Sequence, residues 1–163
     1  ILNSEIEAIS LRYFNVHGPR QNPNGAYAAV IPAFIHKLME CTPPTIYGNG
    51  EATRDFVTAV DVATANVLAL TTESPSALNQ VYNVASGTSI SISKLFNTLR
   101  DLLAEKNPEI ALVEPILQPA RVGDILHSSA SIEKARTLLG FNPEIDPHRG
   151  LAATVEAYWA QHV

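Results

Sequence analysis

Cysteine is almost absent from this sequence, and its scarcity excludes two classes of small protein. Cys41 stands alone, so the chain has no disulfide framework and no Cys-rich zinc site. The five histidines are scattered, with no paired spacing and no cysteine beside them, so we expect no metal centre. A chain with one thiol also suits a reducing cytoplasm.

Two further features are missing: an excess of positive charge and a long apolar run. The net charge is −5, which argues against a nucleic acid bound through a broad basic surface. The longest apolar run falls far short of the roughly 20 residues that span a membrane, so we expect no membrane partner. Any phosphate ligand must therefore meet positive charge that is local.

What is present is the composition of one globular domain. The chain has 163 residues, of which 46% are hydrophobic and 17% are charged, and a chain of this size can bury a core. Residue 1 is Ile and the one methionine is Met39. We therefore interpret residues 1–163 as a single portion of a longer protein.

Hydrophobic spacing and turn residues predict alternating strands and helices. Strands are predicted at 8–15, 44–47, 56–60, 80–85 and 110–114, helices at 26–40, 61–71, 91–103, 131–140 and 146–159, and a long loop at 115–129. Asp61, Ser131 and either Ser91 or Ser93 are expected to be helix N-caps, and Gly140 to end a helix. Alternation without tandem hairpins indicates an α/β fold with some parallel strands, as part of a doubly wound sheet plus a small mixed α/β lobe.

Two arginines from distant parts of the sequence indicate a binding site for a dianionic group. Arg54 precedes Asp55 directly, and Arg121 lies shortly before Asp124. The planar fork of guanidinium donors suits phosphate oxygens two at a time. The alternatives are a surface ion pair for Arg54 and a helix C-terminal cap for Arg121. Asp124 either orients Arg121 or binds a hydroxyl group, and Asp55 should point away from Arg54 as a structural residue.

Several blocks of sequence, in order along nearly the whole chain, carry a resemblance to a known family. They are RYFNVHGPRQ at 12–21, NGAYAAVIP at 24–32, IYGNGEATRDF at 46–56, VYNVASG at 81–87, RVGD at 121–124 and the segment 134–141. With them the chain resembles the C-terminal portion of the extended short-chain dehydrogenase/reductases of the NAD-dependent epimerase/dehydratase family. The block at 24–32 looks most like the UDP-N-acetylglucosamine 4-epimerases. The resemblance implies the C-terminal part of a Rossmann-type sheet.

The same resemblance implies contacts with a cofactor and a substrate. It puts Tyr13 and Phe14 beside the nicotinamide of NAD. For a UDP-sugar it implies Asn15 at the diphosphate, Ala29 and Val30 at the uridine, Thr45 and Tyr47 at the uracil, Arg54 and Arg121 at the diphosphate, and Asp124 at ribose or sugar hydroxyls. Two simpler interpretations stay open, with Asn15 as a turn residue that ends a strand and Tyr47 as core. At least one of Tyr13 and Phe14 should be core, because successive strand residues alternate faces.

The family's chemistry needs two motifs that this sequence lacks. A Gly-x-x-Gly-x-x-Gly turn holds the NAD pyrophosphate at a helix N-terminus, and a Tyr-x-x-x-Lys pair acts as acid and base. The glycines of this chain never reach that spacing, and no tyrosine has a lysine four residues on. We therefore assign no catalytic residue and expect the chain alone to be inactive. His17 stands where the family usually has Tyr or Phe, and we expect it to support the loop.

Three functional hypotheses follow. The leading one is the nucleotide-sugar-binding portion of a cytoplasmic, NAD-dependent UDP-sugar 4-epimerase of the UDP-N-acetylhexosamine type, with a homodimeric parent. The second keeps the family but changes the reaction to 4,6-dehydration, decarboxylation or reduction, whose discriminating residues would lie outside this chain. The third is a non-catalytic module that binds nucleotide sugars. In each case the strand at 8–15 should present an open edge that promotes association.

Overall fold

The computed structural model describes residues 6–21 and 29–162. The strands in these ranges are β1 Ile9–Tyr13, β2 Asn15–His17, β3 Thr45–Tyr47, β4 Thr53–Arg54, β5 Phe56–Thr58, β6 Gln80–Val84, β7 Ile90–Ser91, β8 Ile116–Gln118 and β9 His127–Ser128. The α-helices are α1 Val30–Met39, α2 Ala59–Thr71, α3 Ile92–Ala104, α4 Glu133–Leu139 and α5 Pro147–His162. Two short 3-10 helices lie at Pro75–Ala77 and Pro108–Leu112.

Parallel pairing joins strands that are far apart in sequence. β1 pairs with β6, β2 with β5 and β3 with β8, all in parallel. β4 lies between β7, which is antiparallel to it, and β9, which is parallel. The predicted α/β fold with parallel strands is thereby confirmed.

The predicted strand at 8–15 is two strands with different partners. β1 ends at Tyr13, and Phe14 donates its N–H to the carbonyl of Val84 at 3.0 Å. From Asn15 onward the chain pairs with β5 instead, with Asn15 opposite Phe56. In the part of the chain that the structure describes, β6 is the one strand paired with β1. The expected tendency of this edge to promote association stays a prediction.

The larger core lies between α1, α3 and α5. Its buried side chains are Ile31, Phe34, Ile35, Leu38, Ile46, Phe56, Leu95, Phe96, Leu99, Leu103, Ile110, Val113, Leu151 and Val155. The rings of Phe34 and Phe96 meet edge to face, with centroids 6.1 Å apart. Because the α3 members recur every three or four residues, they form one face of the helix. Ser91 is the cap of α3, since its Oγ accepts the N–H of Lys94 at 3.1 Å.

A smaller core lies between β6, α2 and α4. Its buried side chains are Ala65, Ala77, Tyr82, Val84, Ala135, Leu139 and Phe141. Gly140 ends α4 in the left-handed conformation, with φ of 68°, as predicted. Ser131 was wrongly predicted to cap α4, because Ile132 occupies the cap position without a side-chain bond. The hydroxyl of Ser131 reaches the N–H of Glu133 only at 3.4 Å.

Two predicted helix starts are wrong. Ala29 is extended, so α1 begins at Val30. Positions 26–28 of the predicted helix lie outside the described residues. α2 begins at Ala59, because the hydroxyl of Thr58 accepts the N–H of Asp61 at 3.0 Å and donates to its carboxylate at 2.7 Å. Asp61 is thus the partner of the cap. The acid three residues on therefore bonds the cap hydroxyl, where a capping box would bond the cap N–H.

The segments around 110–129 also differ from prediction. The predicted strand at 110–114 is a 3-10 helix, because the side chain of Asn107 caps it and Pro108 opens it. Ile110 is buried there while Leu112 is 83% exposed. The predicted loop at 115–129 contains β8 and β9. Their partners lie far back along the chain, so local sequence carried no sign of them.

In residues 6–21 and 29–162, no helix combines the length and the apolar character that a membrane crossing requires. The same residues contain no cluster of three potential metal ligands.

Candidate functional site

A cavity of about 530 Å³ opens between α1, β3, β4 and the segment after β8. This volume is within the usual range for small-molecule sites. Its lining residues are Asn15, Val30, Ala33, Phe34, Lys37, Pro43, Pro44, Thr45, Ile46, Tyr47, Ala52, Arg54, Ile92, Arg121 and Asp124. Parts of the chain that are distant in sequence thus meet at one site.

Seven of the eight residues predicted to bind substrate line this cavity. They are Asn15, Val30, Thr45, Tyr47, Arg54, Arg121 and Asp124. Ala29 does not line it, although it directly precedes Val30. The structure therefore brings the predicted residues together in one cavity.

Helix α1 and strand β3 supply two facing walls. Val30, Ala33 and Lys37 line the cavity from α1, and their spacing of three and four residues puts them on one side of the helix. On β3, Thr45 and Tyr47 share one face, while the intervening Ile46 is 2% exposed and packs in the core. Ile46 also borders the cavity, but alternation along the strand makes Thr45 and Tyr47 its exposed side chains.

Arg54 is held at one end of the cavity by two hydrogen bonds. Its Nη1 donates to the carbonyl of Thr53 and its Nη2 to Oδ1 of Asp124, both at 2.9 Å. The side chain of Arg54 is 18% exposed and that of Asp124 is 42% exposed. An ion pair half in water adds little stability, so its main effect is to orient the guanidinium.

Arg121 lies over an aromatic ring instead of joining that ion pair. Its guanidinium carbon is 3.7 Å from the centroid of the Tyr47 ring, within the range of a cation–π contact. The alternative interpretation of Arg121 as a helix cap is wrong, because it follows β8 in a turn. Asp124 does not orient Arg121 through its side chain, since its carboxylate is paired with Arg54.

Beneath the cavity, Asp55 is a structural residue, as predicted. Its side chain is fully buried and accepts the N–H groups of Ser86 and Gly87 at 2.7 and 3.1 Å and the Ser86 hydroxyl at 2.8 Å. The amide nitrogen of Asn15 donates to the Asp55 carbonyl at 2.8 Å. Asp55 therefore fastens the β6–β7 turn to the base of the strand that carries Arg54, and the proposed surface pairing of Arg54 with Asp55 is absent.

His17 lies behind the site, where it joins β2 to α5. It is 2% exposed, and its Nδ1 is 3.2 Å from Oγ1 of Thr154. The Thr154 hydroxyl donates to the Gly150 carbonyl at 2.9 Å, so the pattern makes Nδ1 of His17 the donor. Burial lowers the pKa of His17 from 6.5 to about 4, although the nearby Asp61 charge raises it. His17 is therefore neutral near pH 7.

The two residues predicted to contact a cofactor lie outside the large cavity. Tyr13 is 47% exposed at the end of β1, and its hydroxyl donates to Oδ1 of Asn66 at 2.9 Å. Phe14 is partly buried beside it. Tyr13 also borders a separate depression of about 380 Å³ between β1 and α2. The two residues thus share a location at the carboxyl end of β1, but nothing they contact identifies a ligand.

The sequence interpretation missed Lys37, the third cation of the cavity. Its signal was its spacing from Val30 and Ala33 on one helix face. Pro43, Pro44 and Ile92, which add apolar surface, carried no such signal because core and cavity walls use the same residue types.

Comparison with known proteins supports one family. Residues 2–85 match the NAD dependent epimerase/dehydratase family. A UDP-glucose 4-epimerase of Mycolicibacterium smegmatis is 33% identical over 88% of this chain. Among solved structures, a UDP-glucose 4-epimerase of Thermotoga maritima with UDP-glucose superposes with a TM-score of 0.85, at 32% identity over 97% of this chain and 48% of its own.

A second solved structure is a UDP-N-acetylglucosamine 4-epimerase of Methanobrevibacter ruminantium, in complex with UDP-N-acetylmuramic acid. It superposes with a TM-score of 0.83, at 38% identity over 96% of this chain and 47% of its own. The chain spans about half the length of the curated relatives it matches, 43% in the case of the Mycolicibacterium smegmatis protein.

Proposed function

Because the chain belongs to the NAD dependent epimerase/dehydratase family, we propose that it is the nucleotide-sugar-binding portion of an NAD-dependent UDP-sugar 4-epimerase. The observation that carries the proposal is the convergence of Arg54, Arg121 and Tyr47 on one cavity. This combination offers two guanidinium groups for a diphosphate and an aromatic ring for a base. The Mycolicibacterium smegmatis and Thermotoga maritima proteins reported above bear the name of such an enzyme.

The charge of the cavity supports a dianionic ligand. The chain as a whole carries −5, yet among the described residues that line the cavity the charged ones are three cations, Lys37, Arg54 and Arg121, and one acid, Asp124. Positive charge is therefore concentrated where the sequence predicts a diphosphate. Arg54 is already held by the Thr53 carbonyl and by Asp124, which reduces the side-chain entropy lost when a ligand binds.

The apolar part of the cavity supports a nucleoside. Val30, Ala33 and Pro44 line the same cavity as Thr45 and Tyr47 of β3. Aromatic side chains stack on nucleobases of any sequence, typically for about 1–3 kcal/mol per base. A base over Tyr47 would take the surface that Arg121 now covers, leaving the guanidinium free to turn toward the phosphates.

Firm anchoring of UDP suits a 4-epimerase. Such an enzyme must present both faces of C4 to one acid/base site, so the hexose has to turn while the nucleotide stays fixed. Holding the part of the substrate that does not react positions the part that does. We propose UDP-N-acetylhexosamine as the sugar nucleotide, from the resemblance of the 24–32 block.

The cofactor is assigned to the parent protein only. Bound NAD would supply the reversible removal of a hydride from the sugar. The residues of this chain do not fit its pyrophosphate, because the glycines lack the spacing of a dinucleotide-binding turn. Tyr13 and Phe14 are proposed to flank its nicotinamide. We assign no catalytic residue and propose that the chain alone is inactive.

The cytoplasmic location and the homodimeric state of the parent belong to the same proposal. The single cysteine, Cys41, supports a reducing compartment. Dimerisation is supported by the family resemblance alone, and sedimentation of the parent protein would test it. A 4,6-dehydratase, decarboxylase or reductase would use the same nucleotide clamp, because those reactions differ at the sugar.

The test is a calorimetric titration with UDP of the chain, shown to be folded by circular dichroism. Wild-type chain should bind saturably, and the Arg54→Ala, Arg121→Ala double variant should bind at least about 100-fold more weakly, since hydrogen bonds to charged groups contribute about 1.5–3 kcal/mol each. Arg136→Ala is the matched control, because Arg136 pairs with Glu133 on the surface of α4. UDP binding that survives in the double variant would overturn the proposal.

If UDP binds as expected, UDP-N-acetylglucosamine and UDP-glucose should be compared in the same way. Tighter binding of the N-acetylated sugar would support the choice of hexose. Equal binding, or tighter binding of UDP-glucose, would contradict it while leaving the nucleotide clamp intact. If the chain binds no nucleotide and the whole protein lacks both the Gly-x-x-Gly-x-x-Gly turn and the Tyr-x-x-x-Lys pair, the proposal of an epimerase is overturned.

A further inference from the structure

The cavity has a cation besides the two arginines. Lys37 lies on the last turn of α1, where Thr42 folds back and donates both its N–H and its hydroxyl to the Lys37 carbonyl, at 2.9 and 3.2 Å. This turn leads directly into Pro43 and Pro44, which line the cavity as Lys37 does. Lys37 and the two prolines therefore belong to one part of the cavity wall.

The position of Lys37 relative to Arg54 follows from the chain between them. β3 runs from the proline end towards Gly48, and the turn after it returns the chain to Arg54. At about 3.3 Å per residue, the step from Pro44 to Tyr47 covers roughly 10 Å. A base over Tyr47 covers part of that length, and the long side chain of Lys37 can reach along the rest.

The ammonium of Lys37 is held at the rim by one partner. Its Nζ donates to Oε2 of Glu40 at 3.3 Å, and the Lys37 side chain is 52% exposed. Glu40 is also within 3.2 Å of His36 Nδ1 and 3.4 Å of the Thr42 hydroxyl. The Lys37 bond is the largest cause that lowers the Glu40 pKa. An ammonium has three donors and no acceptor, so Glu40 leaves donors that can point into the cavity.

We propose that Lys37 selects the nucleobase, favouring a pyrimidine with a carbonyl on the edge away from the sugar (uracil or thymine) over one with an amino group there (cytosine). The inference rests on the proposed function, in which the base lies between Tyr47 and α1. A carbonyl oxygen accepts a hydrogen bond from the ammonium. An amino group would bring donor against donor and leave both unpaired.

The competing interpretation is a surface ion pair between Lys37 and Glu40, three residues apart on the same helix. Such pairs contribute little to stability and have no influence on which base binds. The two interpretations therefore differ in one quantity, the ratio of affinities for UDP and CDP. Sites built to hydrogen-bond a substrate group discriminate strongly against an analogue that lacks it.

The experiment is a titration of wild-type, Lys37→Met and Lys134→Met chains with UDP and with CDP. Methionine keeps the length and the helix propensity of lysine, and circular dichroism checks the fold of each variant. Lys134 is the matched control, since it lies on α4 against Gln80 and Tyr82, outside the cavity. Wild-type and Lys134→Met chains should bind UDP at least about tenfold more tightly than CDP.

Lys37→Met should weaken UDP binding about tenfold and change CDP binding little, so that the ratio approaches one. Lys37→Arg, which keeps the charge and the donors, should retain most of the preference. Equal wild-type affinities for UDP and CDP, or an unchanged ratio in Lys37→Met, would overturn the inference and leave the proposed function standing. Absence of binding by both nucleotides to the folded wild-type chain would overturn both.

Discussion

Asp124 lies 2.9 Å from Nη2 of Arg54, although Arg121 is much nearer to it along the chain. The acid of the RVGD segment therefore restrains the arginine of a different strand. Arg121 is left to lie over Tyr47. Both arginines that we predict to bind the diphosphate therefore already contact another side chain, Asp124 or Tyr47. A diphosphate must compete with these contacts.

The first prediction concerns that competition. Asp124→Asn removes a negative charge beside Arg54, so we expect inorganic pyrophosphate to bind about two- to fivefold more tightly, in keeping with the 0.2–1 kcal/mol of an exposed ion pair. UDP should gain less, because Asp124 is proposed to accept from its ribose. Calorimetric titration with both ligands measures the difference. Asp101→Asn, an exposed acid near Arg100, is the control, and weaker pyrophosphate binding by Asp124→Asn would contradict the expectation.

The second prediction concerns the ring of Tyr47. Tyr47→Leu should weaken UDP binding by about tenfold or more, because a stacked base is worth about 1–3 kcal/mol. Pyrophosphate, which has no base, should lose less. Tyr47→Phe keeps the ring and should bind UDP nearly as the wild type does. Equal losses for both ligands in Tyr47→Leu would mean that the ring acts only by positioning Arg121.

The third prediction is a pH dependence of stability caused by His17. Its pKa is lowered to about 4 in the folded chain and is about 6.5 when unfolded, so the unfolded chain takes up the proton first as pH falls. The stabilising contribution of neutral His17 is therefore complete above pH 6.5 and is lost as pH falls towards 4. Between pH 7 and 4.5 the loss should be about 2–3 kcal/mol. Urea unfolding at several pH values measures it.

His17→Phe is the comparison for this measurement. Phenylalanine cannot titrate, so the variant should lose less stability than the wild type across the same interval. Thr154 keeps its bond to the Gly150 carbonyl in the variant, so its hydroxyl stays paired within α5. Parallel pH profiles for the two proteins would contradict the assignment of the effect to His17.

The fourth prediction concerns the buried carboxylate of Asp55. Asp55→Asn should lower the free energy of unfolding by about 3 kcal/mol, because the amide keeps one acceptor oxygen for Ser86 but turns its NH2 group toward the N–H of Gly87, which then loses its acceptor. Chemical denaturation measures the change. Asp101→Asn, an exposed substitution, should stay within about 0.5 kcal/mol of wild type. A comparably small change in Asp55→Asn would show that the turn does not depend on the charge.

Much of the site could be predicted from sequence because its residue types are chemically unusual where they stand. Arg54 and Arg121 are guanidinium groups outside the strands and helices that the sequence predicts, and Tyr47 is an aromatic just before Gly48. Alternation along β3 then decides which of its side chains are exposed. What the sequence could not predict was the pairing of Asp124, since a contact between positions 54 and 124 depends on how β4 and β9 meet.

In the fold, too, some elements could be predicted from local sequence and others depend on distant partners. Helix α3 and the end of α4 at Gly140 follow from spacing and from a residue that tolerates positive φ. The short strands β8 and β9 do not, because each is stabilised mainly by a partner far away in sequence. For the start of α2, the sequence predicted Asp61 as the cap, and the structure has Thr58 three residues earlier. Both residue types serve as caps, and here the two side chains bond each other.

The parallel pairing of β3 with β8 has a consequence for how the protein is made. Tyr47 and Arg54 leave the ribosome well before Arg121 and Asp124, and such long-range contacts form slowly. The anion-binding end of the cavity can therefore close only after most of the chain has been synthesised. A nucleotide that binds the closed cavity would stabilise the finished protein by mass action, but it could not guide the first steps of folding.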